Sequence, residues 1–161
     1  ADADAFWSEQ SAYRRAKNYD DMLESGERSI SSPALINQWL SAINARYNPV
    51  LTAYNLAFDF GKCRNTRINL GIFNSRFCLM KSAKRKIGVL ADYQQFCYDN
   101  NLLTAKLRKP SMTADAMAKF ICNDLPDEPH TALEDARDYE ALILAYLLTT
   151  QTRKNLLELG Q

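Results

Sequence analysis

Asp59, His130 and Asp135 are the residues whose types and spacing suit chemistry. Asp59 closes the segment Asn55-Leu-Ala-Phe58-Asp59, directly after the short apolar run Val50-Leu-Thr-Ala-Tyr54. His130 is the single histidine and stands five residues before Asp135 in His130-Thr-Ala-Leu-Glu-Asp135. Aspartates are hard oxygen ligands for Mg²⁺ or Mn²⁺, and an imidazole beside them suits removal of a proton from water. Together they suggest a two-metal phosphodiester site. Plainer roles exist for each. An acid in the first turn of a helix is stabilised by the helix dipole. Asn55 and Phe58 suit a cap and a core anchor as well as the walls of a nucleotide pocket. A loop histidine before an acid-rich helix start (Glu134, Asp135, Asp138) needs no ligand at all. On an ideal helix, five residues are about 500° of rotation, so His130 and Asp135 would not share a face. Pro129 places His130 outside the helix, from where it can lean back over an acid one turn in.

The elements that must hold these residues are legible in outline. Residues 5–28 are polar with scattered aromatics and read as weak helix or irregular structure. Ser32-Pro33 is a capping serine followed by proline at the first helical position, and Leu35, Ile36, Trp39, Leu40 and Ile43 then recur at helical spacing. Asn48-Pro49 ends that helix, and Val50–Tyr54 reads as a short buried strand. Asn55 is expected to cap a helix that carries Asp59 in its first turn and runs toward Arg67, with Gly71 as its break. Phe77-Cys-Leu-Met80 is a second strand. Leu90, Tyr93, Gln94, Phe96 and Cys97 form a helical stripe that stops at Asn100-Asn101. A basic loop reaches Pro110. Ser111 or Thr113 caps a helix with Ala116, Met117, Phe120 and Ile121 on one face. A last helix is expected from about Thr131 to Leu148, with Leu133, Ala136, Ile143, Leu144 and Leu147 inward. The organisation expected is an N-terminal irregular or helical segment (1–31), a central domain (32–148) and a C-terminal tail (149–161).

At 161 residues, with 47% apolar and 24% charged residues, the chain has an ordinary globular composition and enough length for a core. Cys63, Cys78, Cys97 and Cys122 stand far apart with no C-x-x-C pair, so reduced thiols and a cytoplasmic setting are expected rather than a zinc site. No apolar run approaches a membrane span, and the N-terminus has no signal-peptide pattern. No glycine-rich phosphate loop and no G-x-S-x-G elbow is present. The formal charge of +1 hides a segregation. Residues 60–110 hold eleven Lys/Arg against only Asp92 and Asp99. Residues 1–59 carry five bases against eight acids, and residues 111–161 four against nine. A basic middle between acidic ends reads either as a solvated surface or as a face for a polyanion beside a carboxylate-rich pocket.

The joint pattern resembles the DEDDh, or DnaQ-like, 3′→5′ exonucleases. Tyr54-Asn55-Leu-Ala-Phe58-Asp59 resembles the family's second motif. His130-Thr-Ala-Leu133-Glu-Asp135-Ala136, with the apolar helix that follows, resembles its third. The resemblance covers about residues 32–148. It implies an α/β, RNase H-like (exonuclease) fold and removal of nucleotides from 3′ ends of single-stranded DNA or RNA with two Mg²⁺ or Mn²⁺ ions. Asp59 and Asp135 would serve the metals, His130 would be the general base, and Asn55 and Phe58 would touch substrate. A polymerase or other replication or repair partner would fit the family. The family's first motif, Asp-x-Glu on the central strand, has no counterpart. Asp2-Ala-Asp4 has the spacing without the surrounding apolar strand. The chain is therefore expected to be helix-rich and to lack some N-terminal strands. The rival expectation is a catalytically inactive domain of the same fold that binds nucleic acid or acts as a scaffold.

Overall fold

The computed structural model describes residues 19–126 and 131–149, so Asp2, Asp4, His130 and the tail from 150 onward lie outside it. The described chain is α/β and helix-rich, with one small two-stranded parallel sheet. It forms two compact units: one from positions up to Val50 together with Phe60–Ser75, the other from Leu51–Asp59 together with residues from Arg76 onward.

In the first unit, residues 19–24 are helical and α1 follows at Pro33–Tyr47. The Ser32 hydroxyl accepts the Leu35 amide at 3.2 Å and Pro33 occupies the first turn, as the dipeptide predicts. Asn48 ends the helix in the left-handed conformation (φ 42°). The apolar spacing does not make a buried face. Leu35 and Trp39 are 57% and 63% exposed, and no residue of α1 is fully buried. What fastens α1 is polar. Asn37 donates to the Arg67 carbonyl at 2.9 Å and accepts the Asn69 amide at 2.8 Å, while Asn44 donates to the Ile72 carbonyl at 3.0 Å. Those partners flank a single 3₁₀ turn, Leu70–Ile72, whose start is capped by Asn69 onto the Gly71 amide.

The second unit contains the sheet and the core. Strand β1 is Val50–Ala53 and strand β2, Ser75–Cys78, pairs with it; helix α2, Leu56–Asn65, starts in this unit, and its residues from Phe60 on are counted with the first. A parallel pair needs a crossover of this length between its strands. The second strand starts and ends two residues earlier than Phe77–Met80, because Leu79 and Met80 already open helix α3, Leu79–Lys86. The Met80 amide closes onto the Tyr54 carbonyl at 2.9 Å, so the apolar run is half strand end and half helix start. Helix α4, Ala91–Asp99, and helix α5, Ala114–Ile121, follow. Thr113 rather than Ser111 caps α5, accepting the Ala116 amide at 3.3 Å.

The terminal helix, α6, opens as Ala132–Glu134, passes into a π-helical segment at Asp135–Glu140 and continues over 141–149. The Ala141 amide bonds the Ala136 carbonyl, the i→i+5 signature of that register. The widened turn rotates everything before it. Ile143 and Leu147 point inward as their spacing predicts, but Leu133 is 52% exposed and Ala136 is exposed too, while Tyr139 is buried in their place.

The core gathers Tyr54, Leu79, Ala83, Ile87, Tyr93, Cys97, Met117, Ala118, Tyr139 and Ile143. Tyr93 and Phe120 meet edge to face at 5.2 Å between ring centres, and Phe96 meets Phe120 at 5.6 Å. The Tyr93 hydroxyl donates to the Ser111 carbonyl. All four cysteines are free thiols, and burial raises the pKa of Cys97, as fits a packing role. Among the described residues, no helix is long and apolar enough to cross a membrane.

Two glycines separate packing from propensity. A Cβ on buried Gly88 would stand 2.8 Å from the Met112 sulfur and 2.9 Å from the Lys84 carbonyl oxygen, whereas one on Gly61 in α2 would meet nothing within 4 Å. Gly88→Ala is predicted to cost about 1–3 kcal/mol through overpacking. Gly61→Ala is predicted to add about 0.5–1 kcal/mol by raising helix propensity. Urea midpoints of the two variants check both signs.

Candidate functional site

The carboxyl end of β1 leads into Asp59, and Asp135 and Glu140 of α6 lie within electrostatic range of it. In parallel sheets, loops beyond the strand ends form the clefts that hold ligands. Here β1 runs into Tyr54 and Asn55, and the Asn55 carbonyl accepts the amides of Phe58 and Asp59 at 2.9 and 3.2 Å as α2 begins. The Asn55 side chain is exposed and forms no cap hydrogen bond among the described residues, so the backbone performs the turn. Phe58 is 50% exposed, which removes the core-anchor reading and leaves an apolar ring at the surface beside the acid. Asp59 is half-buried. Loss of water around its carboxyl raises its pKa above the usual 3.8, and a hydrogen bond from its own backbone opposes the shift.

Helix α6 supplies the facing carboxylates. One Asp135 oxygen is buried, and the Asp135 amide bonds the Thr131 carbonyl at 2.9 Å. Glu140 is half-buried and carries the clearest electrostatic signature. Its pKa is raised first by desolvation and further by the charges of Asp59 and Asp135, while a hydrogen bond from the Tyr54 backbone opposes the rise. Asp59 and Asp135 therefore both lie within the field of one carboxylate at the end of β1.

The π-helical register explains why Glu140 belongs there. In a 3.6-residue helix, residues five apart point about 140° away from each other once a full turn is removed. An i→i+5 turn stacks them instead. Asp135 and Glu140 bracket the segment that adopts it. Sequence periodicity offers no sign of Glu140, because its alignment with Asp135 exists only in the π register. Such segments occur often at functional sites.

No family model matches the chain, and neither a curated protein nor a solved structure does. The likeness to DEDDh exonucleases therefore rests on the two motifs themselves. Of their residues, Asp59 and Asp135 come into a common field, Asn55 and Phe58 flank Asp59, and His130 lies outside the described residues.

Among the described residues, no three His, Cys, Asp or Glu side chains converge closely enough to chelate one ion. That still fits Mg²⁺, which is commonly held by one or two carboxylates, with water and substrate phosphate oxygens completing its shell. A half-buried carboxylate whose pKa is raised by two neighbouring acids is also what a cation would relieve. A cleft of about 630 Å³ flanks α6, but Leu125, Pro126, Arg137 and Tyr139 line it with Glu134, Asp138 and Leu142, not the three acids. Asp138 is paired with Arg137 at 2.7 Å, which lowers its pKa and takes it out of the site.

An acid whose pKa rises on folding holds its proton more tightly when folded. Its stabilising contribution is present below the unfolded value and is lost as pH rises through the folded one. For Glu140, that loss begins above its usual 4.5. Glu140→Gln is predicted to match the wild type in acid below that value and to be the more stable protein near neutral pH. Urea unfolding of both proteins across this range measures the difference. Millimolar Mg²⁺ is expected to narrow it.

Proposed function

We propose that the chain acts on nucleic acid as a metal-dependent 3′→5′ exonuclease, or as the C-terminal part of one. In this reading, the pair β1–α2–β2 with α6 is the later portion of an RNase H-like sheet and its covering helix. The carrying observation is that Asp59 and Asp135, far apart in sequence, both act on Glu140 at the carboxyl end of β1.

In this reading, Asp59 and Asp135 hold one divalent cation, and Glu140 adds negative charge behind them. A bound cation supplies charge neutralisation at the scissile phosphate and lowers the pKa of water nearby. The protein's own residues do the rest. The start of α2 orients Asp59 through its bonds to Asn55. The exposed ring of Phe58 offers a face on which a terminal base can stack, an interaction of about 1–3 kcal/mol. His130 removes the proton from the attacking water, a role that rests on the motif alone.

The second reading is a domain of the same fold that binds nucleic acid or acts as a scaffold without cutting it. The lack in the sequence of a counterpart to the family's Asp-x-Glu motif favours it. The two readings diverge on one assay: Mg²⁺- or Mn²⁺-dependent shortening of a 5′-labelled single-stranded oligonucleotide. The exonuclease reading predicts stepwise loss from the 3′ end. It further predicts a fall of about 10²–10⁴-fold in His130→Ala, and comparable losses in Asp59→Asn and Asp135→Asn with no loss of folding stability. Undiminished cleavage in all three variants would contradict it. Oligonucleotide binding with no cleavage in either metal would establish the second reading.

A further inference from the structure

The most strongly charged feature outside that site is a short hairpin between α4 and α5. Its backbone is tied at every level. Leu103 and Pro110 form an antiparallel bridge, and the Ser111 amide bonds the Leu102 carbonyl at 2.9 Å. The Thr104 amide bonds the Lys109 carbonyl at 2.8 Å, and the Arg108 amide returns to the Thr104 carbonyl at 2.9 Å. The Thr104 hydroxyl accepts the Lys109 amide at 3.2 Å. Arg108 takes the left-handed conformation (φ 49°), and its guanidinium donates to the Asn101 side chain at 2.9 Å. Below, Leu102, Leu103 and Met112 pack on the core, and Tyr93 holds Ser111. The hairpin is built on the core rather than draped over it.

Its tip is Lys106-Leu107-Arg108-Lys109, all exposed, with Leu107 65% exposed. No acid occurs from Asn100 to Thr113, and none of the three cations forms an ion pair among the described residues. Met112, just beyond the hairpin, sits against Gly88 at the end of α3. There, Lys84, Arg85 and Lys86 are likewise exposed and make no ion pair among the described residues. The tip thus presents one exposed apolar side chain among cations that make no ion pair among the described residues. It matches a strand of nucleic acid, with phosphates along the cations and an apolar wedge against a base.

We propose that the hairpin 103–110 is a preformed single-strand-binding finger, its cations on the phosphates and Leu107 against a base. Because the backbone is already ordered, little conformational entropy is lost on binding. The inference goes beyond the hydrolytic reading and does not need it, since binding here involves neither Asp59 nor Asp135.

The test is fluorescence anisotropy of a labelled single-stranded oligonucleotide with the full chain over a range of salt concentrations. Lys106→Gln, Arg108→Gln and Lys109→Gln combined should weaken binding more than tenfold at low salt. The triple variant should also make the log–log salt slope shallower by about 2, the value for three lost phosphate contacts on a single strand. Leu107→Ser should weaken oligonucleotide binding severalfold with the slope unchanged, and should leave binding of heparin, a polyanion without bases, unaffected. Wild-type affinity and slope in the triple variant would overturn the proposal. So would equal loss of heparin and oligonucleotide in Leu107→Ser, or a Leu107-dependent preference for anionic phosphatidylserine vesicles. Cleavage measured on the same variants keeps the two readings apart. Cutting with an unaffected salt slope defeats the finger alone, and a finger-dependent slope without cutting defeats the exonuclease alone.

Discussion

Tyr54 is the junction on which the second unit depends. Its ring is buried, and its hydroxyl donates to the Met112 carbonyl at 2.7 Å. Its own carbonyl receives the Met80 amide in the first turn of α3, and its backbone hydrogen-bonds Glu140 on α6. One residue at the end of β1 thus joins the sheet, the basic helix, the segment leading into α5 and the terminal helix. The same placement creates an electrostatic difficulty. Gathering carboxylates at a half-dry strand end costs solvation, and each charge makes the next less favourable. A fold that retains such an arrangement stores a preference for protons or cations at that corner. The functional reading follows from that preference.

The parts of the fold legible in the sequence are those specified by local chemistry. Ser32-Pro33 announced α1, Thr113 stood where α5 begins, and Asn100-Asn101 marked the end of α4, where Asn101 adopts a left-handed φ of 54°. Strand β1 and the start of α2 also followed from local pattern. The illegible parts depend on distant partners or on register. Nothing in the sequence shows that Asn37 and Asn44 would fasten α1 to carbonyls near the 3₁₀ turn. Helix α3 was hidden because its apolar start reads as the end of a strand and its remainder as a run of cations. The inward face expected of α6 assumed an uninterrupted 3.6-residue repeat. One π-helical segment turned Leu133 and Ala136 outward.

The candidate site divides along the same line. Asp59 and Asp135 were recognisable because each lies in a local motif at the start of a helix. Glu140 was not, since only the i→i+5 turn stacks it near Asp135. The basic middle of the chain was visible as charge, but charge alone does not separate a solvated surface from a binding face. The hydrogen-bonded hairpin with Leu107 exposed at its tip supports the proposed binding face, and it arises from contacts between residues 101–112 that no periodicity encodes. The acidic corner and the basic finger are therefore separable features of one unit, one suited to a cation and the other to phosphates.

The central claim is that Asp59 and Asp135 hold a divalent cation. Electron paramagnetic resonance of Mn²⁺ titrated with the protein tests it most directly, since the sharp spectrum of the free ion fades as the ion is bound. The account predicts loss of free-ion signal with the wild-type chain, and its restoration when either Asp59→Asn or Asp135→Asn replaces it. A full free-ion spectrum with the wild type, or the same loss of signal in both variants, would contradict it.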